Sequence, residues 1–474
     1  MKLFKAVIVL FAVAFTASAY GEIITIGEYL SIVEENNPQL QSIQASIESA
    51  KDKIAETERA LTPFVLSVGG NYTDDEFSGL ASGYKEVKTN AYNAAITKQF
   101  ITGTGISIGA SASDSSSIAD SLIPSLADRD TKTLAPFVSI QQSLWKDFVI
   151  GYTRASINAA RASAKAALYN LEYSKQSFIL GAKSAYWNFA YAKTNTAYRE
   201  ASLARYQQLL EWNQKRYRLD LAERADLLQA QASQKSGELN LRIAVENEKQ
   251  ARRAFNQYIN TDINSKEYDV IQFEDIVKNY SAIEEIQKKG TRADVLAAIE
   301  TEKAAKYNQK AAINNAGPDV VVSGQYTANG AGTEFSDAQK ADKPVYVIGA
   351  KITLPLDFIR QSKVNKSYKA AAISAEKSAE NAKIQEQTDW VNLFDKWKLD
   401  LLSLEMSQSI QSIQKEYVSE NRKLLQRGRT TTNLVIQSEE SLDNATLNVF
   451  SAMLSLINDY EKAAIYYNNQ EDLK

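Results

Sequence analysis

The apolar residues of this chain keep two rhythms, and the changes between them mark out its elements. From Pro38 on, Leu40, Ile43, Ile47, Ala50, Ile54, Thr57 and Leu61 recur three and four apart, the spacing of a helix packed along a seam. Thr62 and Pro63 end it. The period then drops to two: Phe64, Leu66, Val68 and Tyr72 share one face of a strand. Alternation is fainter from Tyr92 to Gln99. It is cleaner from Thr104 to Ser113, with Ile106, Ile108, Ala110 and Ala112 on one side and Ser107, Gly109, Ser111 and Ser113 on the other. A loop rich in Ser and Asp (Asp114 to Thr133) leads to a last strand, Leu134 to Leu144.

The helical rhythm then returns and persists. Between Trp145 and Asp220 there is no proline, and glycine occurs only at Gly151 and Gly181. Such a helix has a length on the order of 100 Å, whereas a compact domain of this chain length measures only about 50–60 Å across. Leu171, Phe178, Ala185 and Ala192 repeat by seven, as do Leu203, Leu210 and Tyr217, and alanine is abundant from Ala155 to Ala204. Apolar stripes on more than one side predict a stave in a wall of helices. A return helix through Leu227, Ala230, Gly237, Leu241, Ala244 and Ala251 reaches Tyr258.

The plan then restarts. A helix from Arg292 to Ala316 is followed by strands over Asp319–Tyr326 and Val345–Leu354, a second long helix from Phe358 to Arg427, and a final helix with Val435, Leu442, Val449, Leu456 and Ala463 seven apart. The segment Arg216–Ala230 recurs 208 positions later as Leu424–Ser438, bringing Gln229/Gln437, Asn240/Asn448 and Tyr258/Tyr466 into register. The chain reads as a two-fold internal repeat: residues 20–258 with strands at about 64–144 and a helical hairpin at 147–258, an irregular connector at 259–290, and residues 291–470 with strands at about 319–354 and a hairpin at 358–467. Residues 471–474 form a tail.

Composition narrows the function. Net charge is −3, which gives no support to nucleic-acid binding, and His and Cys are both absent. That excludes Ser-His-Asp and Cys-His nucleophilic sites, imidazole or thiolate zinc sites, and disulfides. No carboxylate pair gathers into a cleft motif, so no enzyme, cofactor or metal site is expected. Lys2 and Lys5, the apolar Ala6–Phe15 and the small-x-small Ala17–Ala19 predict a signal peptide over 1–19 and export. Thr25 and Glu28 have the spacing of a capping box at the first mature helix.

Strands of roughly 9–11 residues with weak alternation suit an outer-membrane barrel as well as a soluble sheet. Two to four strands per half cannot close on themselves, since about eight form the smallest closed set, and open edges are not tolerated in lipid. Strands in a membrane must therefore be pooled among several chains, the helices continuing as a hollow cylinder. The fold expected is an α+β membrane protein: mainly long α-helices in an α-barrel tunnel, plus a β-barrel formed jointly by the subunits. The competing reading is a secreted or periplasmic coiled-coil structural protein or adhesin.

The order of elements, with Thr25–Leu30, Asn37–Leu40, the strand-to-helix junctions near Ser143–Leu144 and Pro355–Leu356, and the two hairpin tips, resembles the TolC-type outer-membrane efflux proteins. The resemblance implies a homotrimeric channel-tunnel in the outer membrane of a Gram-negative bacterium, embedded in its lipid. It also implies a periplasmic adaptor (membrane fusion) protein and an inner-membrane transporter as partners, in efflux or type I secretion. The family has two strands per half, so the pair near Tyr92–Ser113 either enlarges the barrel or lies outside it. In the family, a motif of the form Gly-x5-Asp-Val-Leu-Asp-Ala marks the tunnel entrance at the second tip. Here Gly428 matches, but Leu434 and Gln437 stand at the acidic places; the first tip has Asp226 and Gln229 there.

The residues themselves give the first tip mixed charge (Arg216, Arg218, Asp220, Glu223, Arg224, Asp226) and the second a basic one (Arg422, Lys423, Arg427, Arg429). Glu223 or Asp226 pairing with Arg427 or Arg429 between neighbouring tips would hold the entrance closed. The alternative is that these are solvated helix-end charges, each pair contributing about 0–1 kcal/mol. Phe64, Tyr72, Tyr92, Phe100, Phe137 and Tyr346 are candidates for an aromatic girdle, and Trp187 and Trp390 for packing between helices.

Overall fold

The computed structural model describes residues 22–76, 83–119, 127–149, 151–273 and 286–466. The expected signal peptide, part of the connector and the tail lie outside them. The chain is mostly helical with two sheets and divides into two compact units.

One unit holds the described residues up to Ala45, Tyr173–Arg292 and those from Gln387 onward. It begins with strand β1 (Glu22–Ile24), which pairs in parallel with β6 (Tyr268–Val270) inside the stretch expected to be irregular. Three-residue strands carry no readable alternation; the partner chosen at long range makes them. Helix α1 (Ile26–Asn36) starts on the expected capping box, with the Glu28 amide on Thr25 and the Thr25 amide on Glu28. Its Tyr29 stacks on Phe255 at 4.5 Å and lies near Tyr186, and all three are fully buried. The hydroxyls of Tyr29 and Tyr186 donate to the carbonyls of Phe255 and Ile24. Burying aromatic rings with their polar ends satisfied builds the larger of the two apolar clusters among the described residues.

The other unit carries a six-stranded antiparallel sheet in the order β2 (Phe64–Asp75), β3 (Tyr84–Gln99), β4 (Thr104–Ala119), β5 (Arg129–Ser143), β7 (Asp319–Gly332), β8 (Lys343–Thr353). The strands outrun the alternation that announced them. The supposed loop from Asp114 to Thr133 is strand at both ends, and β3 begins eight residues before Tyr92. Polar side chains on both faces hide the period of two, while the ladder needs only backbone groups. Hydroxyl pairs such as Thr89–Ser115 at 2.8 Å and Ser113–Thr133 at 2.7 Å bridge neighbouring strands there. The extra pair joins the sheet: β3 and β4 lie between β2 and β5. After β7, the turn α6 (Phe335–Ala338) covers Gly330 so closely that a Cβ there would collide with the Ala338 carbonyl.

Four helices accompany the sheet in this unit: most of α2 (Pro38–Leu61), the first part of α3 (Tyr152–Arg218), α5 (Ala293–Asn315) and the first part of α7 (Phe358–Gln426). Arg161 binds Glu58 between α3 and α2, and Lys306 binds Glu376 at 3.0 Å between α5 and α7. Helix α3 starts at Tyr152 rather than Asp147. A π-helical turn (Leu144–Val149) and Gly151 at φ 71° intervene, and the Asp147 carboxylate accepts the Thr153 amide at 2.9 Å. Among the described residues no helix is long and apolar enough to cross a membrane.

Candidate functional site

Within the first unit α3 and α4 (Arg224–Tyr258) form one hairpin, and α7 and α8 (Thr432–Ala463) the other. Both tips close with the same geometry. The Leu221 amide donates to the Arg216 carbonyl and the Asp220 amide to that of Tyr217; at the second tip Arg429 donates to Leu424 and Gly428 to Leu425. This double closure needs a left-handed residue just past the helix. Gly428 supplies it at φ 70° and Asp220 at φ 52°. Asp220 therefore has a backbone role, and its side chain points into solvent. Thr431 caps α8 by accepting the Leu434 amide, whereas Glu223 stands at the start of α4 without a side-chain cap.

The remaining tip residues divide by exposure. Glu223, Arg427, Arg429 and Gln437 are exposed, and Asp226, Gln229 and Leu434 are half-buried. Within the chain, among the described residues, Glu223 and Asp226 form no ion pair with Arg427 or Arg429. The contact that does join the tips is neutral. The Gln229 amide donates to Asn433 at 2.5 Å, and Thr432 donates to Asn213 at 2.8 Å in a buried bond.

Of a charged cluster about two turns above the second tip, the sequence points only to Arg422. Asp443 and Glu439, one turn apart on α8, are both buried. Arg205 of α3 donates to Glu439 at 2.9 Å and to Asp443 at 2.6 Å, and Arg422 of α7 donates to the other oxygen of Glu439 at 2.5 Å. Asp443 also accepts from Tyr198 at 2.9 Å, Tyr206 at 3.1 Å and Ser202. Burial works against the Arg205 charge, yet Asp443 and Glu439 outweigh it and hold the guanidinium above its usual range. Burial, with Asp443 beside it, pushes the Tyr198 hydroxyl up to about 12. The network ties three helices from both hairpins. The signal available was an i,i+4 acidic pair on the face of α8 that carries Val435, Leu442 and Val449.

Beside it opens a cleft of about 750 Å³ lined by Arg205, Lys415, Arg422, Lys423 and Leu442. A row of exposed apolar residues runs along α7 (Leu399, Leu402, Met406, Ile410, Ile413, Tyr417), and a second along α4 (Leu228, Leu239, Ile243).

The sheet has two unlike faces. Leu66, Ile96, Ile108, Val138, Tyr326 and Tyr346 are paired in one row across all six strands, and every one is exposed. The neighbouring row on the opposite face reads Val65, Thr97, Ser107, Ser139, Gln325 and Val347. That face is mostly Ser, Thr, Gly, Ala and Asn. Phe137, grouped above with possible girdle aromatics, pairs with Gly109 and so lies on this opposite face.

Residues 103–261 match the family described as outer membrane efflux protein. The structure is similar to the outer-membrane channel OprN (12% identity, 93% of this chain and 89% of that one, TM-score 0.66). It is similar also to the outer membrane protein VceC of Vibrio cholerae (16%, 92% and 95%, 0.64) and to the MtrE outer membrane channel of Neisseria gonorrhoeae (17%, 93% and 88%, 0.60). No curated protein sequence matches. At these identities the structural neighbours establish the fold alone, and the family match covers about a third of the chain, residues 103–261.

Proposed function

We propose that the chain is the outer-membrane channel-tunnel of an efflux or type I secretion assembly, a passive conduit made of three copies. The observation that carries this reading is the sheet: one face apolar and exposed across six strands, the other small and hydroxylated, with both edges open. A water-filled barrel in lipid requires that division. Six strands are too few to close, but an even number lets β8 of one copy meet β2 of the next antiparallel. The helices support the same head-to-tail order. In the first unit α8 contacts α3, α7 and the start of α4, and the apolar rows of α7 and α4 stay exposed for neighbouring copies. A heterologous contact of this kind closes into a ring. A secreted coiled-coil protein has no use for the apolar sheet face.

The two-fold repeat then gives each copy two hairpins around the entrance, tips toward a periplasmic adaptor and an inner-membrane transporter. In this arrangement Arg427 and Arg429 at the end of α7 come beside Glu223 and Asp226 at the start of the next copy's α4, the latch expected from the sequence. The basic cleft beside Arg422 would take an acidic helical segment of the adaptor. The test is to express the full chain and fractionate the cells. Recovery with the outer membrane, heat-modifiable migration and a cross-linked ladder ending at three are expected. A monomer soluble without detergent would overturn the reading.

A further inference from the structure

The six-stranded sheet has a consequence for the cargo. Resting on the three-copy reading above, we infer that the exit is an eighteen-stranded barrel whose bore admits polypeptide carrying local structure rather than small solutes alone. The extra width comes from β3 and β4, which are paired over their whole lengths, β3 to β2 through twelve consecutive residues from Phe64 to Asp75 and β4 to β5 through fourteen from Thr104 to Ser117.

Strands about 4.8 Å apart and tilted by about 40° each take up roughly 6.3 Å of perimeter. Eighteen give a perimeter of about 113 Å and a backbone diameter of about 36 Å; twelve would give about 75 Å and 24 Å. In the same unit each copy supplies four helices, α2, α3, α5 and α7. Twelve helices spaced 8–10 Å apart have a perimeter of about 100–120 Å. Eighteen strands match that ring, whereas twelve would pinch it by about a third.

The lining keeps the width open. Facing the bore are Gly69, Asn93, Ser111 and Ala135 in one row, Asn71, Ala91, Ser113, Thr133 and Ala331 in another, and Thr97, Ser107 and Ser139 in a third. Subtracting such short side chains leaves a free bore of roughly 25 Å for eighteen strands and roughly 14 Å for twelve. The narrower figure passes an extended chain or a single helix, which is 10–12 Å wide with side chains. The wider one passes a helical hairpin or a domain of about 50 residues, whose radius of gyration is about 10 Å. Apolar side chains on this face, such as Val65, Phe137 and Val347, are few beside these small and hydroxylated ones, so a passing chain meets mostly short neutral groups.

The natural chain has no cysteine, so a single Ser139→Cys reports on the bore and Val138→Cys on the opposite face. Both are placed in the full chain and in a chain lacking residues 84–119, which removes β3 and β4 and returns β2 directly to β5. Cells are treated from outside with maleimides carrying rigid heads graded from about 10 to 30 Å, spanning the two bores. In the full chain the labelling rate of Ser139→Cys should fall tenfold only for heads beyond about 25 Å; in the shortened chain, beyond about 14 Å. A full chain that already excludes heads above about 14 Å overturns the wide exit, and this cut-off decides even where the shortened chain fails to reach the membrane. Labelling of Val138→Cys but not of Ser139→Cys by the smallest reagent, or an oligomer of another size, would instead overturn the channel reading on which the inference rests.

Discussion

Replacing Arg205 by methionine keeps most of the stem volume and deletes one charge from the cluster that joins the two hairpins. Glu439 retains Arg422, but Asp443 retains only three hydroxyl donors and a distant Arg199 at 4.0 Å, so its buried charge is left largely uncompensated. What disappears is a charge-assisted bond of 2.9 Å to Glu439 and one of 2.6 Å to Asp443, both acceptors being at most 5% exposed. Bonds to charged groups contribute about 1.5–3 kcal/mol each. Breaking a buried pair from one side costs about 3–5 kcal/mol, and that range is the prediction. Because the loss is local to α3 and α8, amide hydrogen exchange around Val435–Thr446 is the suitable assay. Each 1.4 kcal/mol corresponds to tenfold, so exchange there should quicken by about two to three and a half orders of magnitude while the core around Tyr29 and Phe255 stays protected. Adding Asp443→Asn to Arg205→Met should restore part of the protection, since the uncompensated charge is removed. A change below about threefold in the single variant, or a double variant worse than the sum of its parts, would refute the claim that this buried charge balance holds the hairpins together.

Other consequences are simpler to state. Ile108→Arg places a charge on the apolar row of the sheet and should destabilise the protein in lipid vesicles by about 2–4 kcal/mol in urea titrations, whereas Ser107→Arg on the opposite face should be nearly neutral. Asp226→Arg puts like charges at the proposed latch; single-channel conductance should rise, and unchanged conductance would dismiss the pairing. Burial pushes the Tyr186 hydroxyl up to about 12 from 10.0. The folded state therefore keeps a proton that the unfolded chain releases, and stability present below pH about 10 should decline toward pH 12, by up to about 1.4 kcal/mol per unit. Tyr186→Phe should lose that part of the alkaline dependence, measured by denaturation at stepped pH, together with the hydroxyl bond to Ile24.

Most of the architecture was legible in the chain because long elements announce themselves. A 67-residue helix free of proline cannot be mistaken, and the repeated tips pointed to one closure used twice, which the matching backbone bonds at Asp220 and Gly428 display. Strand positions were legible wherever an apolar face met a polar one, as at Ile106–Ala112. They faded at Asp114–Ala119 and Tyr84–Ala91, where both faces are polar and only the ladder holds the strand.

The sequence alone therefore determined the periodic elements and the kinds of chemistry the chain lacks, since both follow from residue types and their local spacing. Only the tertiary structure decided partners at long range. It paired β1 with β6 across more than two hundred residues, inserted β3 and β4 into a six-stranded sheet, and brought Arg205, Arg422, Glu439 and Asp443 together from three helices. Local spacing states which face of a helix is buried. Which charges meet there depends on how neighbouring helices are set against one another, and that is fixed by packing over the whole length of each pair.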